Sequence, residues 1–301
     1  PPLFFYLTDL SYKIFGHTTF ASRFWPLVAG TMLIPLIFLI SYNIFKDKKI
    51  AILSAFFITF SNFLVRMTFT EQSLLVSFFS FSGILFGLYY LEDNKLKFLI
   101  FSAVFFGLGV LTKYNAPFFI LSFLVYSTFY IKIRKEKILT KKNIKNLALF
   151  LSIIFIFAIP FLSFNYFIYK EKGIVDIYFS RIIQLKSTQQ LYGSLAGQEN
   201  SLFDNLKVLS NYGNYNLVFK TDIILFIFGS LGLILLFLAK RKETLYFCLS
   251  IFIIPFILQS GGSPLPKHFV FMYVIFSMLG AYSFKKILSK INKKNLKLFF
   301  I

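Results

Sequence analysis

Charge is scarce in this 301-residue chain, and negative charge is scarcer still. Only 15% of the residues are charged, with 12 Asp and Glu against 32 Lys and Arg, for a net charge of +20. A soluble domain carries about 25% charged residues, so a water-borne fold is excluded by composition. The chain has one cysteine, Cys248, inside an apolar run, which excludes an internal disulfide and a cysteine metal site. No phosphate-binding glycine loop, HExxH or GxSxG occurs in the sequence, so nucleotide-driven transport and metalloprotease chemistry lose support. An Asp-x-Asp pair, the common metal site of enzymes that use nucleotide sugars, is also missing. The first residue is Pro1 and no signal peptide precedes it, from which a chain cut at its N-terminal side is expected.

Apolar residues make up 57% of the chain and aromatic residues 21%. Runs such as Leu147–Phe164 and Phe269–Tyr282 hold no charge, and no polar stripe is left to solvate them as surface helices. The expected fold class is therefore an all-α polytopic membrane protein. About nine transmembrane helices are predicted, over 26–45, 50–65, 72–91, 98–112, 116–131, 147–168, 222–239, 244–260 and 268–284. The fourth is short, and its Ala103 and Gly107 form a small-xxx-small pair suited to close helix packing. Residues 3–15 mix apolar runs with Asp9 and Lys13 and read as an interfacial amphipathic helix. The chain is expected to be one domain over 1–301, with an external interfacial segment at 1–25 and an external loop at 169–221.

The positions of the basic clusters orient the chain. Those at Lys46–Lys49, Lys95–Lys97, Lys132–Lys145, Lys240–Lys242 and Lys285–Lys297 all fall on one side if the N-terminus is outside and the C-terminus inside, as the positive-inside rule requires. The high pI then reports topology and not nucleic-acid binding. The opposite face has the one long connection, whose length marks it as a substrate-contacting loop. Its stretches Ile174–Leu185 and Leu202–Leu209 are amphipathic.

With so few acids, each can be weighed. Glu71 stands out because it opens a predicted span, where a carboxylate is costly unless it meets a polar cavity, a cation or a metal; the bland alternative is a first-turn acid favoured by the helix dipole. Four basic residues sit at external span ends against the orientation bias. Arg23 precedes the first span, Lys113 ends another, and Lys267 and His268 open the last. Snorkelling explains each singly; together they could surround an anionic group such as a lipid phosphate. His17, with no such company, reads as structural.

These motifs carry a family resemblance. Pro1-Pro-Leu-Phe-Phe-Tyr-Leu, Ile14-Phe-Gly16 and Ala21-Ser-Arg23-Phe-Trp-Pro-Leu-Val-Ala-Gly30 are followed by Arg66…Thr70-Glu71, Gly107-Leu-Gly-Val-Leu-Thr-Lys113 and Lys267-His268-Phe. In that order they resemble the GT-C glycosyltransferases of the dolichyl-phosphate-mannose protein mannosyltransferase and aminoarabinose transferase type. The resemblance implies a hexosyl- or pentosyltransferase of the cell membrane. It would move a sugar from a polyprenyl-phosphate donor to a lipid, protein or glycan acceptor at the outer face. It implies a main catalytic acid before the Pro-Pro-Leu element, a second acidic position at Glu71, and phosphate contacts from Arg23, Lys113 and Lys267, with His268 in place of a further basic residue. No cofactor follows with certainty, and a divalent metal at Glu71 stays open. The Trp-Trp-Asp element of oligosaccharyltransferase catalytic subunits is absent, since Trp25 is the only tryptophan. The competing readings are a lipid-linked saccharide flippase, which would also need a cationic cavity but should show internal repeats, and a structural membrane subunit.

Overall fold

The computed structural model describes residues 2–68, 72–176, 222–260 and 269–290. Eleven helices account for nearly all of these residues: α1 Leu3–Phe15, α2 Thr19–Phe45, α3 Lys48–Thr59, α4 Asn62–Met67, α5 Gln72–Asp93, α6 Leu96–Thr112, α7 Ala116–Ile133, α8 Lys141–Lys172, α9 Ile223–Leu238, α10 Lys242–Ser260 and α11 Val270–Lys290. Five of them, α2, α5, α7, α8 and α11, are long and apolar enough to cross a membrane. The chain is a multi-pass helical membrane protein. The shorter apolar helices α6 and α9 span about 25 Å at 1.5 Å per residue, slightly under the hydrocarbon thickness of about 30 Å.

Three expectations need correction. The apolar run 50–65 is not one helix: it breaks between Thr59 and Asn62, where the Ser61 hydroxyl caps α4 by accepting from Leu64 N at 3.4 Å. Arg23 does not precede its helix but lies within it, because Thr18 starts α2 early, its hydroxyl accepting from Ala21 N at 3.2 Å. Helix α8 runs past 168 to Lys172 and stops at Gly173, whose φ of +64° suits glycine. Residues 177–221, most of the expected external loop, lie outside the described residues.

Helix α11 is the centre of the bundle, enclosed by α3 and α9 with α10 alongside, whereas α8 packs on α6 and is otherwise exposed along its apolar length. Neighbours approach closely where side chains are small. A Cβ on Gly232 of α9 would meet the Leu279 carbonyl oxygen of α11 at 2.1 Å, and Gly107 of α6 receives the Phe157 ring of α8. Serines add interhelical links: Ser102 Oγ donates to Gly83 O at 2.7 Å, Ser283 Oγ to Phe228 O at 2.6 Å, and Ser41 and Ser54 pair at 2.9 Å. Such bonds use polar groups without exposing them to hydrocarbon. Helix α1 keeps Phe5, Tyr6 and Ile14 exposed while it is tied to α2 by Ser11 Oγ on Ala21 O and Trp25 Nε1 on Leu7 O.

The charges of the basic clusters gather where α2 meets α3 and α5 meets α6. Asp47 caps α3 by accepting from Lys49 N and Ile50 N and takes a hydrogen bond from Lys285 of α11. The Lys285 ammonium holds the Asp47 carboxyl below its ordinary value. Glu92, at the end of α5, accepts from Asn43 Nδ2 at 2.8 Å and pairs with Lys46. This end of the bundle is thus stitched by α2, α3, α5 and α11 together.

Candidate functional site

At the opposite helix ends a second polar cluster forms. Lys113 terminates α6, its N–H donating to Gly109 O at 3.0 Å, and its half-buried side chain crosses to α5. There Lys113 Nζ donates to Ser73 Oγ at 2.7 Å, with Ser73 in the first turn of α5 and 2% exposed. A cation is thereby held beside a helix N-terminus, where backbone N–H groups and the dipole already favour an anion.

The next residue extends the cluster. Tyr114 OH donates to Asp176 Oδ2, which also accepts from Asn165 Nδ2 at 3.0 Å, and Asp176 N donates back to Asn165 Oδ1 at 2.9 Å. Asn165 is buried in the last turns of α8, so this three-residue joint fixes the end of α6 to the end of α8. Asp222, just before α9, makes a third joint. Its carboxylate accepts from Ser61 Oγ at 3.0 Å, Asn62 N at 3.2 Å and Phe63 N at 3.1 Å. The stacking of Phe63 on Tyr273 at 4.3 Å continues that link into α11.

Arg23 lies on α2 with its Nε buried. Seven residues on, Gly30 lies against Thr68 and Leu74, which flank residues 69–71. Arg23 and this contact therefore share a face of α2, about 10 Å apart along the axis. Glu71, Lys267 and His268 lie outside the described residues. Of the expected site residues, Arg23 and Lys113 alone are described, and Lys113 is joined to the start of α5. Ser73, Tyr114, Asn165 and Asp176 did not emerge from the sequence as site residues. The available signals were Tyr114 beside Lys113 and a lone Asn165 within an apolar span.

Among the described residues no three His, Cys, Asp or Glu side chains converge to hold a metal, so these residues do not fit a metal centre and no chemistry is assigned through one. They offer a fixed ammonium at a helix N-terminus and, through Tyr114 beside it in sequence, a carboxylate held by a phenol and an amide. Removing the carboxylate with Asp176→Ala leaves the Tyr114 hydroxyl and the Asn165 amide without it. A loss of about 1–3 kcal/mol of stability is expected, read as a lowered thermal midpoint in detergent, while Asp176→Asn, which can still accept, should lose less.

This architecture is that of the GT-C membrane glycosyltransferases. The family model for dolichyl-phosphate-mannose-protein mannosyltransferase matches residues 1–164, more than half of the chain, and the chain belongs to that family. No curated protein matches it in sequence. Among solved structures, it is similar to ArnT from Cupriavidus metallidurans in the apo state, at 14% identity and TM-score 0.67, over 99% of this chain and 50% of that one. The same enzyme bound to undecaprenyl phosphate matches at 16% identity and TM-score 0.67, over 97% and 50%. The Archaeoglobus fulgidus oligosaccharyltransferase in complex with Zn and sulfate matches at 17% identity and TM-score 0.62, over 96% and 41%. The chain spans half or less of the length of these solved structures.

Proposed function

We propose that the chain is part of a glycosyltransferase that moves a sugar from a polyprenyl-phosphate donor to a lipid, protein or glycan acceptor. The observation that carries this reading is Lys113 Nζ on Ser73 Oγ at the N-terminus of α5, in a chain of the mannosyltransferase family. In a glycosyl phosphate the phosphate is a competent leaving group once its charge is neutralised, so a preorganised cation lowers the barrier as the anomeric bond breaks. Lys113 takes that role, with Arg23, Lys267 and His268 as further phosphate contacts. Glu71, two positions before Ser73, serves the acceptor as the second acidic position, while the main catalytic acid expected before the Pro-Pro-Leu element deprotonates the acceptor hydroxyl or amine, giving inversion in a single displacement. That Cupriavidus ArnT has been solved with undecaprenyl phosphate supports this class of donor.

The proposed topology has nine crossings, α2, α3 and α5 through α11, with the N-terminus and the Lys113 end outside, α1 in the outer interface and the connection from α8 to α9 external. The basic ends of α2, α5, α7, α9 and α11 then lie inside, consistent with the positive-inside rule. The test is transfer by full-length protein in vesicles, with cysteines placed at the exposed residues Glu171 and Lys135 to report orientation. One donor should be consumed per glycosylated acceptor, and an impermeant reagent applied outside should label position 171 but not 135. Lipid movement across the bilayer without donor consumption would assign a flippase instead, and the reverse labelling would move the site to the cytoplasm.

A further inference from the structure

The α7–α8 connection and its flanking turns hold seven basic residues, Lys132, Arg134, Lys135, Lys137, Lys141, Lys142 and Lys145, against Glu136 alone. All seven basic residues are exposed. Orienting a span requires charge but no particular shape, and here the charge comes with shape. Asn143 Nδ2 donates to the carbonyls of Lys137 and Ile138 at 3.2 and 3.0 Å, and Thr140 Oγ1 accepts from Asn143 N at 3.1 Å. The connection is therefore folded back over the first turn of α8, with Leu139 at its tip 84% exposed.

Directly beneath it, α7 and α8 part. Each packs on other helices, α7 on α10 and α8 on α6, with little contact between the two. A cavity of about 230 Å³ opens between Leu124, Thr128 and Ile131 of α7, Leu147 and Phe150 of α8, and Leu139 of the connection. A second cavity of about 820 Å³ continues along the same helices to Pro117 and Phe161, sharing Leu124 with the first. The hydroxyls on the α7 wall are turned back on their own helix, Ser127 Oγ to Phe123 O at 2.7 Å and Thr128 Oγ1 to Leu124 O at 3.0 Å, so the furrow presents hydrocarbon. An apolar furrow running along two spans, with seven cations at one mouth, is complementary to an anionic headgroup on a hydrocarbon chain.

We propose that this furrow holds an anionic phospholipid of the leaflet at the basic end. Its phosphate lies among the cations of residues 132–145 and one acyl chain lies between α7 and α8. The phosphate end of this site lies at the opposite end of α7 and α8 from Lys113, and only the apolar far end of the furrow, at Pro117 and Phe161, approaches it, so either phosphate assignment can fail alone. The test is native mass spectrometry of the full-length protein titrated with phosphatidylglycerol, phosphatidylcholine or a polyprenyl phosphate. Phosphatidylglycerol should be retained more than about ten-fold better than phosphatidylcholine. The quadruple variant K135Q/K137Q/K141Q/K142Q should abolish the preference. Thr128→Trp, at an exposed position on the α7 wall, should weaken phosphatidylglycerol retention with every charge intact, and Leu147→Trp on the facing wall should do the same. Equal retention of the two phospholipids would overturn the proposal. So would loss in the charge variant with both tryptophan variants unchanged, which would mean a charged surface only. One-for-one displacement by polyprenyl phosphate would overturn it in favour of the donor lipid.

Discussion

Replacing Lys113 by alanine is expected to weaken binding of a polyprenyl-phosphate sugar to the full-length protein by roughly 30- to 4,000-fold, or about 2–5 kcal/mol. The size follows from where the ammonium lies. It is half-buried and held by Ser73 in the first turn of α5, so a phosphate bound there would lose its counter-charge in a poorly hydrated setting. A cation that merely snorkels to the headgroups would be replaced by water and counter-ions at little cost. Lys113→Arg keeps the charge but changes the donor geometry from a point to a planar fork, and an intermediate loss is expected.

The second large effect is expected on rate. Glu71→Gln keeps the shape of the side chain and removes its charge and basicity. If Glu71 serves the acceptor beside the main catalytic acid, single-turnover transfer should fall by about 10²–10⁴, while donor affinity stays near that of the parent. A loss confined to turnover marks a group acting on the transition state. Equal losses in affinity and rate would instead place Glu71 in donor binding, and no loss in either would make it a first-turn acid serving the helix dipole.

Much of the architecture was legible because hydrophobic runs in a membrane chain map directly onto helices: apart from 50–65, each apolar segment falls on a single helix where it is described. The break at Ser61 was hidden because one small hydroxyl inside an apolar run looks harmless. Its capping role depends on Leu64 nearby and on Asp222, 161 positions away. The early start of α2 at Thr19 was hidden similarly, since polar residues before an apolar run read as loop, while Thr18 makes them the first turns of a helix.

The site divides along the same line. Lys113 was conspicuous because a cation at an external span end contradicts a bias that the five basic clusters obey. Asp176 was one of several acids in a long polar connection, and nothing local set it apart. Its partners Tyr114 and Asn165 lie 62 and 11 positions away, and only the packing of α6 against α8 brings the three together. The furrow between α7 and α8 was equally illegible, since two apolar helices joined by a basic loop read the same whether they pack or part.

The most direct test of the central claim is the dissociation constant of a polyprenyl-phosphate sugar for full-length Lys113→Ala, measured beside Lys290→Ala. Lys290 is an exposed cation in the last turn of α11, at the basic end of the bundle. Lys113→Ala is expected to weaken binding by at least about 30-fold while Lys290→Ala leaves it unchanged. Equal constants for the two variants would contradict a lipid-phosphate site at the start of α5.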